Sequence, residues 1–159
     1  MSIFISQNHL VAVCAGLLDG HVHYGFGAKA SSLDVDPAAI GHIDCSGFIR
    51  YVTYRATDRH IKLQDGSWNH HAWCKAQKLS EVAYSTAALV DGWLRIAFIE
   101  PSKTHSGHVW FVLNGLTLES HGGKGPDRRP WNCRILASEV GDCYLFAQTY
   151  MLTMPTVLV

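Results

Sequence analysis

A chain of 159 residues and 17.6 kDa has the size of one compact domain. Burying roughly 70% of its unfolded surface, a chain of this length folds without a metal or disulfide staple. Thirteen Lys and Arg balance thirteen Asp and Glu, 16% of residues are charged and 48% are hydrophobic, which excludes a disordered chain and a polybasic nucleic-acid binder. Histidine stands out, with ten copies, and mild acid would make the chain positive without touching its carboxylates.

Nothing along the chain marks a repeat, a low-complexity tract or a linker, so residues 1–159 read as one domain. Residues Gln7 to Leu18 carry small and apolar residues at near-helical spacing, with Gly20 as a stop. The apolar run Leu10 to Leu18 is too short to span a bilayer, so no membrane partner is expected. Tyr24 to Gly41, rich in Gly, Ala, Ser and Asp, predicts a long loop. Cys45 to Arg55 predicts a helix with Asp44 as N-cap and a stripe of Phe48, Ile49, Val52 and Ala56. Asp58 to Asn69 is turn-rich, and His70 to Ala83 predicts another helix.

The second half changes character. Trp93 to Glu100, His108 to Leu113, Leu116 to His121 and Tyr144 to Met151 predict strands. Asn114-Gly115 is a hairpin turn that sets Leu113 opposite Leu116. Helices first and strands after predict an α+β fold with an antiparallel sheet.

Five cysteines, an odd number, occur at 14, 45, 74, 133 and 143, with no CxxC pair. Cys45 alone opens a predicted helix, where the macrodipole favours a thiolate and Gly47 keeps the first turn open. A thiol nucleophile needs a base, and His108 begins a strand after the turn Thr104 to Gly107. Counting outward from the hairpin turn puts His108 opposite His121. Glu119 and His121 then share its face, while Ser120 points away. Either Glu119 or His121 can orient the imidazole. Trp110 falls on this face, and Val109, Phe111 and Leu113 fall on the other.

His21-Val22-His23 and His70-His71 with Cys74 contain ligand residue types but lack a carboxylate cluster, so no metal and no cofactor is expected. Gly122 to Pro126 lacks the ending of a phosphate loop and predicts a mobile segment flanking the site, with Arg128 and Arg129 beyond it as either contacts for a substrate carboxylate or a solvated surface pair.

Asp44-Cys45-Ser46-Gly47-Phe48, followed by Gly107-His108-Val109, Asn114-Gly115 and a Thr-Leu-Glu-Ser-His run, resembles the NlpC/p-sixty cysteine peptidases. Tyr24-Gly25-Phe26-Gly27 is similar to that family's Tyr-x-Trp-Gly-Gly element. The resemblance runs from about Gln7 to Tyr150 and implies a papain-like NlpC-type fold, with N-terminal helices packed on a central antiparallel sheet. It implies Cys45 as nucleophile and His108 as base. Tyr24, Asp44 and Ser46 would line the pocket for the N-terminal end of a peptidoglycan stem peptide, Asp44 taking a free amine, with Trp110 beside them. The segment from Gly66 to Trp73 would present the far cleft wall. Two departures stand out: the stretch from Tyr24 to Cys45 is longer than the family pattern, and the turn after the His strand is one residue short. Closing that gap puts Glu119 at the third catalytic position, while residue type favours His121.

The implied activity is cleavage of amide bonds in stem peptides or muropeptides, as a γ-D-glutamyl-type endopeptidase working through a thioacyl intermediate. Two other classes stay open: a papain-like amidase or acyltransferase on a non-peptidoglycan substrate, and a non-catalytic module of a phage tail or secretion assembly. The N-terminus shows no basic region and no long apolar run. The expectation is therefore a product made in the cytoplasm that reaches a cell wall by lysis or non-classical export. An immunity protein or a phage or secretion apparatus is the protein partner this suggests.

Overall fold

The computed structural model describes residues 2–133 and 140–152. The chain starts with a short strand, β1 (Phe4–Ser6), running into α1 (Gln7–Ala15). Ser6 caps α1 by accepting the N–H of His9 at 3.3 Å. After a long loop come α2 (Cys45–Ala56) and α3 (Ser67–Ala76). The strands β2 (Trp93–Ile99), β3 (His108–Leu113), β4 (Leu116–His121), β5 (Gly125–Asp127) and β6 (Cys143–Tyr150) follow.

The sheet order is β1-β6-β2-β3-β4-β5. The β1–β6 pair is parallel and the others are antiparallel. Leu113 faces Leu116 as expected, across a turn with Asn114 at φ 50° and Gly115 at φ 79°. Both turn residues having positive φ is what lets a two-residue loop follow the strand twist.

The alternation along β3 separates two apolar layers. Val109, Phe111 and Leu113 face the main core with Phe48, Ile49 and Val52 of α2 and Leu10 of α1. The three α2 side chains are fully buried, each worth about 1.5–3 kcal/mol of transfer free energy. On the other face, Trp110 and Val112 form a smaller core with Tyr84, Ala97 and Cys143. The strand face expected to carry an open site is thus largely covered.

Some expectations are corrected. The third helix starts at Ser67, about one turn before the expected His70, and ends at Ala76, about two turns before the expected Ala83. Lys78 at φ 55° turns the chain out of the helix. The Gly122 to Pro126 segment expected to be mobile contains the start of β5, where His121 pairs with Gly125 and Ser120 with Pro126. Strand β1 was not foreseen.

Candidate active site

The loop between Tyr24 and Gly41 is long, but its ends are pinned. His23 and His42 form a parallel bridge, and the N–H of Ile43 donates to the carbonyl of His23 at 3.0 Å. The excursion therefore returns the chain to the start of α2 beside Tyr24. Tyr24 is half-buried, and its hydroxyl pKa is raised by burial first and then by Cys45 and Asp44 nearby.

Asp44 caps α2 as expected. Its Oδ1 accepts the N–H of Gly47 at 2.7 Å and the hydroxyl of Ser46 at 3.3 Å. Asp44, Cys45 and Ser46 are all buried. The backbone N–H groups of Val109 and Ser46 favour the thiolate of Cys45, and α2 packs on β3, the strand that His108 opens. Burial pushes the Cys45 thiol up and the Asp44 carboxylate adds to the rise. The two N–H groups and the ammonium of Lys29 pull the other way. Desolvation is the largest of these causes, so the thiol form is the one favoured by its surroundings. A thiol in that state needs a base. Burial pushes Cys14, Cys74 and Cys143 up to about 12.

His108, at the start of β3, is mostly buried, and its Nε2 is 3.0 Å from Oε1 of Glu119. Glu119 is fully buried. Its Oε1 also accepts from the guanidinium of Arg129 at 3.2 Å. His121 turns to Asp127 instead, with Nε2 2.8 Å from Oδ2. The structure therefore places Glu119 on the imidazole of His108. Trp110 is corrected: it is fully buried, its indole N–H donates to Tyr84 at 3.0 Å, and its ring stacks behind His108 with centroids 5.4 Å apart. It supports the histidine and has no surface to offer a substrate. Arg129 likewise serves Glu119 rather than waiting for a substrate carboxylate.

The remaining histidine groups are engaged singly. His21 bonds Asp19 and the carbonyl of Pro37. His70 is buried, with Nε2 2.7 Å from the carbonyl of Gln64. His71 pairs with Asp142 at 2.5 Å and stacks on Trp68.

Sequence reasoning missed one side chain at the site and gave another a different role. Lys29 bonds the carboxylate of Asp44, and its Nζ is 3.1 Å from the Ser46 hydroxyl. Its one sequence signal is that no other basic residue occurs between Tyr24 and Gly41. Arg129, ten residues beyond Glu119 and expected to face a substrate, is brought back by β5, and no local pattern announces its pairing with Glu119.

No family model and no curated protein matches the sequence. Among solved structures, the chain is similar to a Staphylococcus aureus protein described as similar to lipoprotein, NLP/P60 family. The TM-score is 0.57 at 14% identity, covering 91% of this chain and 44% of that one. The chain thus spans less than half the length of that protein. The likeness, with helices packed on a six-stranded sheet, shows a papain-like α+β fold. At this identity it speaks for the fold alone, and the chemistry has to be argued from the residues.

Proposed function

We propose that this chain is a cysteine hydrolase that cleaves amide bonds in peptidoglycan stem peptides, with Cys45 as nucleophile, His108 as base and acid, and Glu119 as the orienting group. The observation that carries this reading is one chain of contacts. The Val109 N–H favours the Cys45 thiolate, the adjacent His108 holds Nε2 3.0 Å from Glu119, and Arg129 backs that carboxylate. With Nε2–H donating to Glu119, Nδ1 is the nitrogen that exchanges a proton with the thiol.

In the proposed reaction His108 takes the thiol proton and the sulfur adds to the amide carbonyl. The oxyanion is held in part by the N–H of Cys45, in the first turn of α2. The protonated imidazole then gives its proton to the leaving amine, and a thioester remains. His108 next removes a proton from water, the hydroxide adds to the thioester carbonyl and expels the sulfur, the imidazolium returns its proton to that sulfur, and the acid product leaves as a carboxylate with its proton lost to solvent. Burial of the thiol suits this sequence, since the proton moves only when the base is in place. The wall would be reached by lysis or through a phage or secretion apparatus, with such an apparatus or an immunity protein as partner.

Replacing Cys45 with Ala should lower cleavage of defined muropeptides, followed by mass spectrometry, by at least about a thousandfold. Thermal unfolding should be cooperative as before. A variant that stays fully active would refute the mechanism. Turnover of other amides with muropeptides left intact would keep the mechanism and replace the substrate.

A further inference from the structure

Lys29 lies beside Cys45, held by the residues on either side of it. One cation ties together the two residues that flank Cys45: the ammonium bonds the Asp44 carboxylate and reaches Ser46 Oγ at 3.1 Å. Its position is built into the fold. The carbonyl of Ala28 accepts the N–H of Asp44 at 2.9 Å, and the N–H of Ala28 donates to Gly25 at 3.0 Å. The stem packs on α2, since a Cβ at Gly47 would come within 3.0 Å of Lys29 Cδ. The side chain is 23% exposed, so it is not sealed from solvent.

Three consequences follow from the chemistry of an ammonium. It has three N–H donors, and Asp44 and Ser46 account for two. A substrate ammonium brought to Asp44 would have to displace Lys29, exchanging one cation for another with no Coulomb gain. If Lys29 stayed, two like charges would share one carboxylate, which disfavours the cationic ligand.

We propose that Lys29 is a specificity-determining residue of this site, closing Asp44 to cationic groups and selecting amides whose acyl portion presents a neutral or anionic hydrogen-bond acceptor. This reverses the free-amine preference that the Asp-Cys-Ser sequence implied. It rests on the reading of Cys45 as the residue over which the acyl group lies, but binding tests it without turnover.

The probes are two synthetic alanyl-γ-D-glutamyl stem peptides, one with a free α-amine and one N-acetylated. Calorimetric binding would be measured with Cys45→Ala in the Lys29 and Lys29→Met backgrounds, and cleavage with Cys45 intact. Lys29→Arg, which keeps the cation, and Lys29→Gln, a second neutral variant, guard against effects of misfolding. With Lys29 or Arg present, the acetylated peptide should bind at least about tenfold better. With Met or Gln the preference should reverse. Preference of the native Lys29 chain for the free amine, a ratio unmoved by neutral substitution, or no binding of either peptide would overturn the inference. The expected binding ratios with no cleavage of either peptide would support it while rejecting the hydrolase reading.

Discussion

Cys45 shows how two residue-level effects of opposite sign are decided. The helix end and the N–H groups of Val109 and Ser46 favour a thiolate, while burial favours the thiol and is the larger cause. What distinguishes Cys45 from Cys14, Cys74 and Cys143 is therefore access and nearby donors. The other three are at most 2% exposed, with thiols pushed up to about 12, whereas Cys45 is 9% exposed. Cys133 is half-buried and would label for reasons unrelated to catalysis. In a Cys133→Ser background, iodoacetamide near neutral pH should modify Cys45 at least about ten times faster than the other three, read by peptide mass mapping. Equal rates at the four sites would count against a nucleophilic Cys45.

At the scale of elements, the N-terminus of α2 is a junction between the helix, the loop before it and the start of β3. Gly47 makes that junction close. The sequence suggested that it opens the first turn to a substrate. The structure instead packs the space where a Cβ would sit, 2.9 Å from Asp44 Oδ1 and 3.0 Å from the carbonyl oxygen of Ala28. Helix propensity alone favours alanine here by about 1 kcal/mol. Overpacking costs about 1–3 kcal/mol, and the Ala28 carbonyl cannot retreat without loosening its bond from Asp44. Gly47→Ala should therefore lower the urea midpoint of unfolding. A raised midpoint would mean that propensity had won and that the loop yields easily. The third helix carries a related lesson, since apolar spacing continued past Ala76 while a positive φ at Lys78 ended the helix.

At the scale of the whole molecule, acid should weaken the fold through His70. Burial lowers its pKa from 6.5 to about 4; a carbonyl bond to Gln64 opposes this, Lys29 and Arg50 add to it, and Asp65 opposes it. The unfolded chain takes up a proton near pH 6.5 that the folded chain refuses until about pH 4. Stability from this group is thus complete above 6.5 and declines as pH falls toward 4, by an amount on the order of 3 kcal/mol. Below that window both states are protonated and the group adds no further loss. His70→Gln keeps a donor for the Gln64 carbonyl and should flatten this part of the pH–stability curve, measured by urea unfolding from pH 7.5 to 4. A slope unchanged by the substitution would assign acid sensitivity to other groups. The same scale explains why β1 went unread. Three residues are too few to show a period, and the strand exists because Phe4, Ile5 and Ser6 pair with Gln148, Thr149 and Tyr150 at the far end of the chain.

Local pattern was enough for the helix at Cys45, its Asp44 cap, the hairpin at Asn114-Gly115 and the shared face of His108, Glu119 and His121. Each of these depends on periodicity or turn chemistry within about a dozen residues. Tertiary structure decided what those local rules leave open. It set Glu119 on His108 and gave His121 to Asp127, buried Trp110 behind the histidine, raised the Cys45 thiol and delivered Lys29 to Asp44. All of these hinge on which groups meet across distant segments and how much water they lose, and neither quantity is written in a stretch of sequence. The histidine excess that first stood out resolves in the same way: His21, His70, His71, His108 and His121 bond a carboxylate or a carbonyl. Of these, His108 precedes Val109, whose N–H favours the thiolate of Cys45.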